Sequence, residues 1–570
     1  MSDPVRIRRR FIQVGERRVH YLRAGEGPPA VLIHSSPANA WFLKPEIEHL
    51  ATDWTVFAFD TPGFGLSQPL PLETMSVADL ADAMAETLDA MAMPPCPVFG
   101  SHSGAAIALE LAVRHPERVT GVVLDGVPAF TDEECAAFFG DYFRKLPVSD
   151  LGGHYSEVWT RFRDQSTWFP WSHRHPDHLN GYDLSAPEST HLWASMYFEA
   201  ADTYTPAYHA TSHYGARAIA AVAELDRPAI FTATTTDMLY PHMARFGPLK
   251  PGQAIREIGT SHAAKYALIA EGFTRFGSPD PTPTDRDALK AGSTVSRQFI
   301  DAPSGGQIHL RHAGNPAHPL LLLIHDAPGS ASAVDPLMLA LAADRFVVAP
   351  DLPGHGESDP FAEDRPALNR FVEATLAVLD HVSAPSWEVL GLGFGASIAV
   401  QLAHDHSHQV SRVVMAGLLA ASAEERAALS RNYTPPITIE ADGAHWYRTW
   451  LMLRDSLIWW PWYDRSKAAQ RNTPQDFSAA RLHRWTLEVM RRRESYGDLV
   501  QAALGHDAPT MIDALVVPVC LIAGTTSPLS IYDADLVARH PGLRVVNVDD
   551  RGEADAIRAA LRTQEDASTP

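Results

Sequence analysis

Short apolar runs recur through the first half of the chain. They are Ala30–His34, Val56–Asp60, Pro97–Gly100, Val119–Asp125 and Ala229–Ala233, each bounded by turn residues. A run that is apolar at every position suits a strand buried on both faces of a parallel sheet. Helical stretches separate the runs, such as Ala105–Arg114, whose apolar face carries Ile107, Leu109 and Leu111. Strand and helix in alternation predict the α/β class, a mostly parallel sheet flanked by helices. One long insertion, about Thr131 to Asp226, breaks the alternation and is rich in Trp, Phe, His and Tyr. It is expected to form a cap over the carboxyl edge of the sheet.

The second half repeats the first. His34-Ser35-Ser36-Pro37 is answered by His325-Asp326-Ala327-Pro328, and Asp60-Thr61-Pro62-Gly63-Phe64-Gly65-Leu66-Ser67 by Asp351-Leu352-Pro353-Gly354-His355-Gly356-Glu357-Ser358. Gly100-Ser101-His102-Ser103-Gly104 has its twin in Gly391-Leu392-Gly393-Phe394-Gly395. His154, Trp159, Arg163, Asp164, Trp168, Pro170 and Trp171 recur as His445, Trp450, Arg454, Asp455, Trp459, Pro461 and Trp462. The offset is 291 throughout. A period this long is a duplicated domain rather than a solenoid. The expected organisation is a domain at 1–277 with its cap at about 131–226, a linker at 278–294, and a second domain at 295–565 with its cap at about 419–514. Alternating prolines in Ser278–Asp285 favour an extended, stiff linker. The polar tail from about Gln564 is expected to fray.

Composition narrows the function classes. The net charge of −21 argues against nucleic acid and anionic membrane as partners. Cys96, Cys135 and Cys520 form no CxxC pair, so neither a disulfide framework nor a zinc site is expected, and a reducing compartment is the default. The basic start, Met1 to Arg10, is not followed by an apolar signal region, and no stretch approaches the ~18 apolar residues of a membrane span. The expectation is a cytoplasmic protein with no metal, no cofactor and a small-molecule substrate. The duplicated domains suggest an intramolecular pseudo-dimer, or a homodimer.

Taken in order, these landmarks resemble the α/β-hydrolase superfamily, twice over. The family places its nucleophile at the centre of Gly-x-Ser-x-Gly, on a sharp strand-to-helix turn. Here that centre is His102, in the frame Gly100-x-His102-x-Gly104. Position in the resemblance assigns Asp237 as the acid and His262 as the general base, with Asp237 orienting His262. It also assigns the backbone amides of Ser36 and Ser103 to an oxyanion hole. His34 would hold the oxyanion turn or border the substrate pocket, and Trp159 and Trp168 are candidate pocket walls. Since the same aromatic pattern stands in the second copy, it also reads as a fold-building feature. In that copy the three roles fall on Gly393, Ser527 and Glu553, which mark it as a degenerate pseudo-hydrolase.

An imidazole at the elbow can attack an activated acyl group or work as general acid and base beside a second imidazole. Ser101 or Ser103 would be the nucleophile only if the turn were altered. The function the resemblance implies is cofactor-free hydrolysis of a small ester, lactone or C–C bond through His102, Asp237 and His262. A lyase or decarboxylase using the same site for proton transfer is an alternative. A non-catalytic ligand-binding or interaction domain is the other class.

Overall fold

The computed structural model describes residues 5–279, 283, 292–303, 305–362 and 365–562. Most of the proline-rich linker and the tail from Gln564 lie outside the described residues. The chain divides into two compact units, Met1–Pro147 with His154–Asp287, and Ala288–Glu440 with Ala444–Pro570.

In the first unit the strands are β1 (Arg8–Val14), β2 (Arg17–Ala24), β3 (Pro29–Ile33), β4 (Thr55–Phe59), β5 (Cys96–Ser101), β6 (Val119–Asp125), β7 (Ala229–Thr232) and β8 (Gln253–Ile255). They form one sheet in the order β1-β2-β4-β3-β5-β6-β7-β8. From β4 to β8 neighbours run parallel, and β1 and β2 pair antiparallel at one edge. Every residue of β3 and β4 is buried, as a strand covered on both faces requires.

The edge hairpin of β1 and β2 was not expected from the sequence. Arg8, Arg9 and Arg10 hide its alternation, yet Arg9, Phe11 and Val14 turn inward while Arg8 and Arg10 are half-exposed. Long side chains such as arginine can bury their stems and so occupy inward positions that a polarity count assigns to solvent.

The second unit repeats the plan with β9 (Gly292–Asp301), β10 (Gln307–Gly314), β11 (Leu320–Ile324), β12 (Phe346–Pro350), β13 (Trp387–Leu392), β14 (Val410–Ala416), β15 (Val519–Ala523) and β16 (Arg544–Asn547). Its order, β9-β10-β12-β11-β13-β14-β15-β16, matches the first sheet strand for strand.

Between β6 and β7 lies a run of helices including Asp132–Phe138, His154–Thr167, Pro187–Ala200, Tyr204–Ser212 and Gly215–Glu224. The corresponding stretch between β14 and β15 holds Ala423–Asn432, Ala444–Ser456, Ala479–Arg491 and Asp498–Leu504. Asp164 pairs with Arg174 rather than with its neighbour Arg163, because adjacent residues on a helix point apart. Asp455 does the same with Arg465.

The loop after β4 is pinned by Asp60, which takes the ring nitrogen Nδ1 of His20 at 2.8 Å and the amides of Ala40 and Leu66 at 2.8 and 2.9 Å. Asp351 holds His309, Ala331 and Glu357 in the same way at 2.9, 2.8 and 2.8 Å. These shared carboxylates build the scaffold in both copies. Among the described residues, no helix is long and apolar enough to cross a membrane.

Candidate active site

The elbow of the first unit is built where β5 turns into the helix Ser103–Arg114. His102 stands at the turn with φ +50° and ψ −111°. A side chain in that backbone region costs on the order of 1–3 kcal/mol and persists only where its surroundings enforce it. Its amide donates to the Asp125 carbonyl at 2.8 Å. Gly104 lets the helix settle onto the sheet, since a Cβ there would lie 2.2 Å from the Ile33 carbonyl oxygen.

The imidazole points toward the acid. Nε2 of His102 donates to Oδ2 of Asp237 at 2.7 Å, and Oδ1 of Asp237 accepts the Leu239 amide at 2.8 Å. The carboxylate is thus fixed by backbone and in turn fixes the ring. It also selects the tautomer that carries its proton on Nε2. Nδ1 has no hydrogen-bond partner among the described residues, and the side chain keeps 37% exposure. Gly126, at φ +69°, makes room for the ring, because a Cβ there would lie 2.7 Å from Cδ2 of His102.

Burial opposes charge on the ring, but the Asp237 carboxylate and its hydrogen bond outweigh it and lift His102 above the ordinary 6.5. Burial likewise opposes charge on Asp237. The pairing with His102 and the Leu239 amide nonetheless hold it below the usual carboxylate range.

Sequence position assigned Asp237 to orient His262, and the structure places them differently. His262 is the exposed first residue of the helix His262–Phe276 and makes no hydrogen bond to His102 or Asp237. The physical reason is reach: an imidazole at the elbow extends across to the acid and fills the place a base histidine would need. His262 instead borders the same cavity.

One turn further along that helix is Lys265, which the sequence reading missed. Its Nζ lies 3.0 Å from Glu46 and 3.4 Å from Asp125, with all three side chains nearly buried. Burial works against the ammonium charge, and the two carboxylates override it and raise the Lys265 pKa. The signal in the sequence was Asp125 ending an apolar strand; its partner lies 140 residues away.

The expected oxyanion hole also differs. The Ser36 amide is engaged, donating to Oγ of Ser103 at 2.6 Å. The Ser103 hydroxyl donates on to Oγ of Ser36 at 2.9 Å. Ser36 thus keeps its own hydroxyl hydrogen to offer into the cavity, and an amide donor is replaced by a hydroxyl relay. The sequence reading took both serines for backbone donors and overlooked that the Ser103 side chain can satisfy the Ser36 amide.

The cavity over this site measures about 290 Å³, near the small end of small-molecule pockets. His102, Asp237, Lys265, Ser36 and Ser103 border it on the sheet side, and Phe130, Phe139, Phe169, Trp193 and Tyr208 on the other. The three residues expected to line it are elsewhere. His34 is buried outside the wall: its Nδ1–H donates to the Ser35 carbonyl at 2.9 Å and its Nε2 accepts the Thr61 amide at 3.0 Å. That neutral, doubly bonded ring is structural, and burial holds its pKa down. Trp159 is buried on the helix His154–Thr167, and Trp168 forms a bridge with Leu179. Phe169, the next residue, faces the cavity instead.

In the second unit Gly393, Ser527 and Glu553 do come together around one cavity of about 280 Å³. Its floor holds a further difference. Oδ1 of Asp326 accepts both the Phe394 amide and the Ala327 amide at 2.8 Å. These are the counterparts of Ser103 and Ser36, so a carboxylate already sits where a reacting oxyanion would. Burial pushes that carboxyl up to about 6 despite the two amides. Gly393, at φ +51°, has no alternative residue, because a Cβ would fall 2.0 Å from the Asp326 carboxyl carbon.

The family model described as alpha/beta hydrolase fold matches residues 28–147 and, separately, 319–446. The chain is a tandem α/β-hydrolase-fold protein. Hydrolases are among the relatives of this tandem protein. It is 33% identical over 114 residues to the (E)-2-((N-methylformamido)methylene)succinate hydrolase of Acinetobacter baylyi, covering 20% of this chain and 42% of that one. It is 31% identical over 156 residues to the 2-hydroxymuconate semialdehyde hydrolase of Pseudomonas putida, covering 26% and 54%. A hydrolase structure from Pseudomonas aeruginosa aligns with 47% of this chain and 98% of its own, at 18% identity and a TM-score of 0.37. The chain spans less than two thirds of the length of either sequence relative.

Proposed function

We propose that the first unit is a cofactor-free enzyme in which His102, oriented by Asp237, acts as general base and then general acid on a small apolar carbonyl compound. The observation that carries this reading is the 2.7 Å bond from Nε2 of His102 to Asp237, which leaves Nδ1 unengaged at the cavity. In hydrolysis of an ester, lactone or C–C bond, Nδ1 takes a proton from water as its oxygen bonds to the carbonyl carbon. The Ser36 hydroxyl donates to the carbonyl oxygen as its charge builds. The imidazolium, stabilised by Asp237, then returns the proton to the departing oxygen or carbon. Hydrolysis is favoured because the relatives above are hydrolases. His262, at the cavity border, is available to exchange protons with solvent.

A second reading is proton abstraction beside a carbonyl, as in a lyase or decarboxylase. It is supported by the engaged Ser36 amide, which removes one backbone donor from a tetrahedral oxyanion and leaves the Ser36 hydroxyl in its place.

The test is a panel of aryl esters, lactones and β-keto acids, together with α-proton exchange of simple ketones followed by NMR in D2O. The dyad reading expects turnover of at least one class, lost in both His102→Gln and Asp237→Asn. Turnover that survives His102→Gln overturns it, and labelling of the protein by a fluorophosphonate would point to Ser101 or Ser103 instead. Absence of turnover with every class returns the first unit to a binding role.

A further inference from the structure

We propose that the cavity of the second unit is a binding site for a small dianion, a dicarboxylate or a phosphorylated compound. Three guanidinium groups border it, Arg471, Arg481 and Arg484. None of the three has a carboxylate within ion-pair distance among the described residues. The neighbouring Arg465, by contrast, pairs with Asp455 at 2.8 Å.

Arg471 is anchored by its own donors. One guanidinium nitrogen reaches the Ser456 carbonyl at 2.9 Å and another the Thr526 carbonyl at 2.7 Å. That leaves part of a five-donor fork unspent at the cavity. Arg481 gives one donor to the Asp476 carbonyl at 3.1 Å. Arg484 makes no hydrogen bond among the described residues. The groups are close enough to repel. Burial is the main cause lowering the Arg471 and Arg481 pKa values, and each is lowered further by the next arginine.

Two of the three acidic side chains at the cavity are held by partners other than the arginines. Asp326 is committed to two amides, and the buried Glu488 accepts the Ser332 hydroxyl. Burial raises the pKa of Glu488 and Glu553 as well as of Asp326. What remains to face a ligand is a set of guanidinium donors that are not spent on carboxylates.

The first unit is the internal control. Shifted by 291, the arginines fall on Asn180, Thr190 and Trp193, all uncharged. The Trp168–Leu179 and Trp459–Gln470 bridges keep that register immediately before the first of them. Of these three, Trp193 alone borders the first unit's cavity, so the cluster of guanidinium groups belongs to the second copy only. Arginine forks match carboxylate and phosphate oxygens in pairs, and two or more of them select a doubly charged ligand over a singly charged one.

The experiment is isothermal titration of the full chain in a phosphate-free buffer with three probes: succinate, inorganic phosphate and uncharged succinamide. Saturable binding of a dianion, weakened about tenfold in Arg484→Gln and further in Arg481→Gln, with succinamide silent, is the expected result. Binding should also weaken as sodium chloride is raised. Succinate alone assigns a dicarboxylate, and phosphate alone assigns a phosphorylated ligand. Arg484→Gln disturbs no hydrogen bond among the described residues, so it tests the site even if Arg481→Gln fails to fold. The proposal is overturned if neither dianion saturates in the millimolar range, if binding is unchanged in both variants, or if succinamide binds equally well. His102→Gln leaves this binding intact, so failure here and failure of the first-unit dyad are separate results.

Discussion

Replacing Asp237 with asparagine isolates the charge in the dyad with almost no change of shape. In the native protein His102 is held above 6.5 because Asp237 outweighs burial. Without that charge, burial remains, Lys265 still opposes, and Asp125 is the one support left. The shift should therefore reverse sign, and His102 should titrate below its ordinary value. A hydrogen bond to a charged group is worth about 1.5–3 kcal/mol when well shielded. The His102 side chain is 37% exposed, so solvent screening brings the figure to about 1–2 kcal/mol. For a domain of this size that corresponds to a Tm loss of about 2–8 °C.

The loss depends on pH in a defined window. The His102 contribution is fully present below its unfolded pKa and is lost as pH rises through its raised folded value. The Asp237 contribution is present above its unfolded value and is lost as pH falls through its lowered folded one. The deficit of Asp237→Asn should thus be largest between about pH 4 and 6.5 and shrink on the alkaline side. Histidine ring resonances read the titration directly by NMR, with His102→Gly identifying the signal. A wild-type His102 that titrates at or below 6.5, or one unmoved by Asp237→Asn, refutes the reasoning.

Other consequences follow from the same geometry. His102→Gly removes the base and should lower kcat by about 10²–10⁴ on any substrate found, while urea unfolding shifts little because relief of the strained backbone at φ +50° offsets the lost bond to Asp237. Gly126→Ala should mimic it in activity, because its Cβ takes the space of the His102 ring; an unchanged His102 titration would contradict this. Lys265→Met strands two nearly buried carboxylates, Glu46 and Asp125, and should cost about 3–5 kcal/mol in urea unfolding. Gly393→Ala should cost about 2–5 kcal/mol from overpacking and left-handed backbone. Adding Asp326→Ala should recover part of that loss, and strict additivity of the two would argue against their contact.

Much of this was legible in the sequence. The constant offset of 291 announced the duplication, and continuous apolar runs gave the parallel strands, because both describe backbone placement. The elbow was recognisable from the small residues that a tight turn needs. What escaped depends on where side chains point. That His102 rather than His262 takes Asp237 follows from the length of an imidazole. That Ser103 satisfies the Ser36 amide follows from a hydroxyl being at hand. Lys265 and Asp125 meet across 140 residues, with no local pattern to signal it. Asp326 stood in plain view beside His325 and was compared only as a motif letter; its acceptor role appears once Phe394 and Ala327 are seen to share it.

The carboxylate lodged beneath Gly393 has an evolutionary consequence. A serine restored at that position would collide with Asp326, and removing Asp326 first would strand two amides that now rely on it. Each single substitution toward a serine elbow therefore passes through a less stable protein. The position is latched from both sides, and variation in this copy is left to the cavity's other walls.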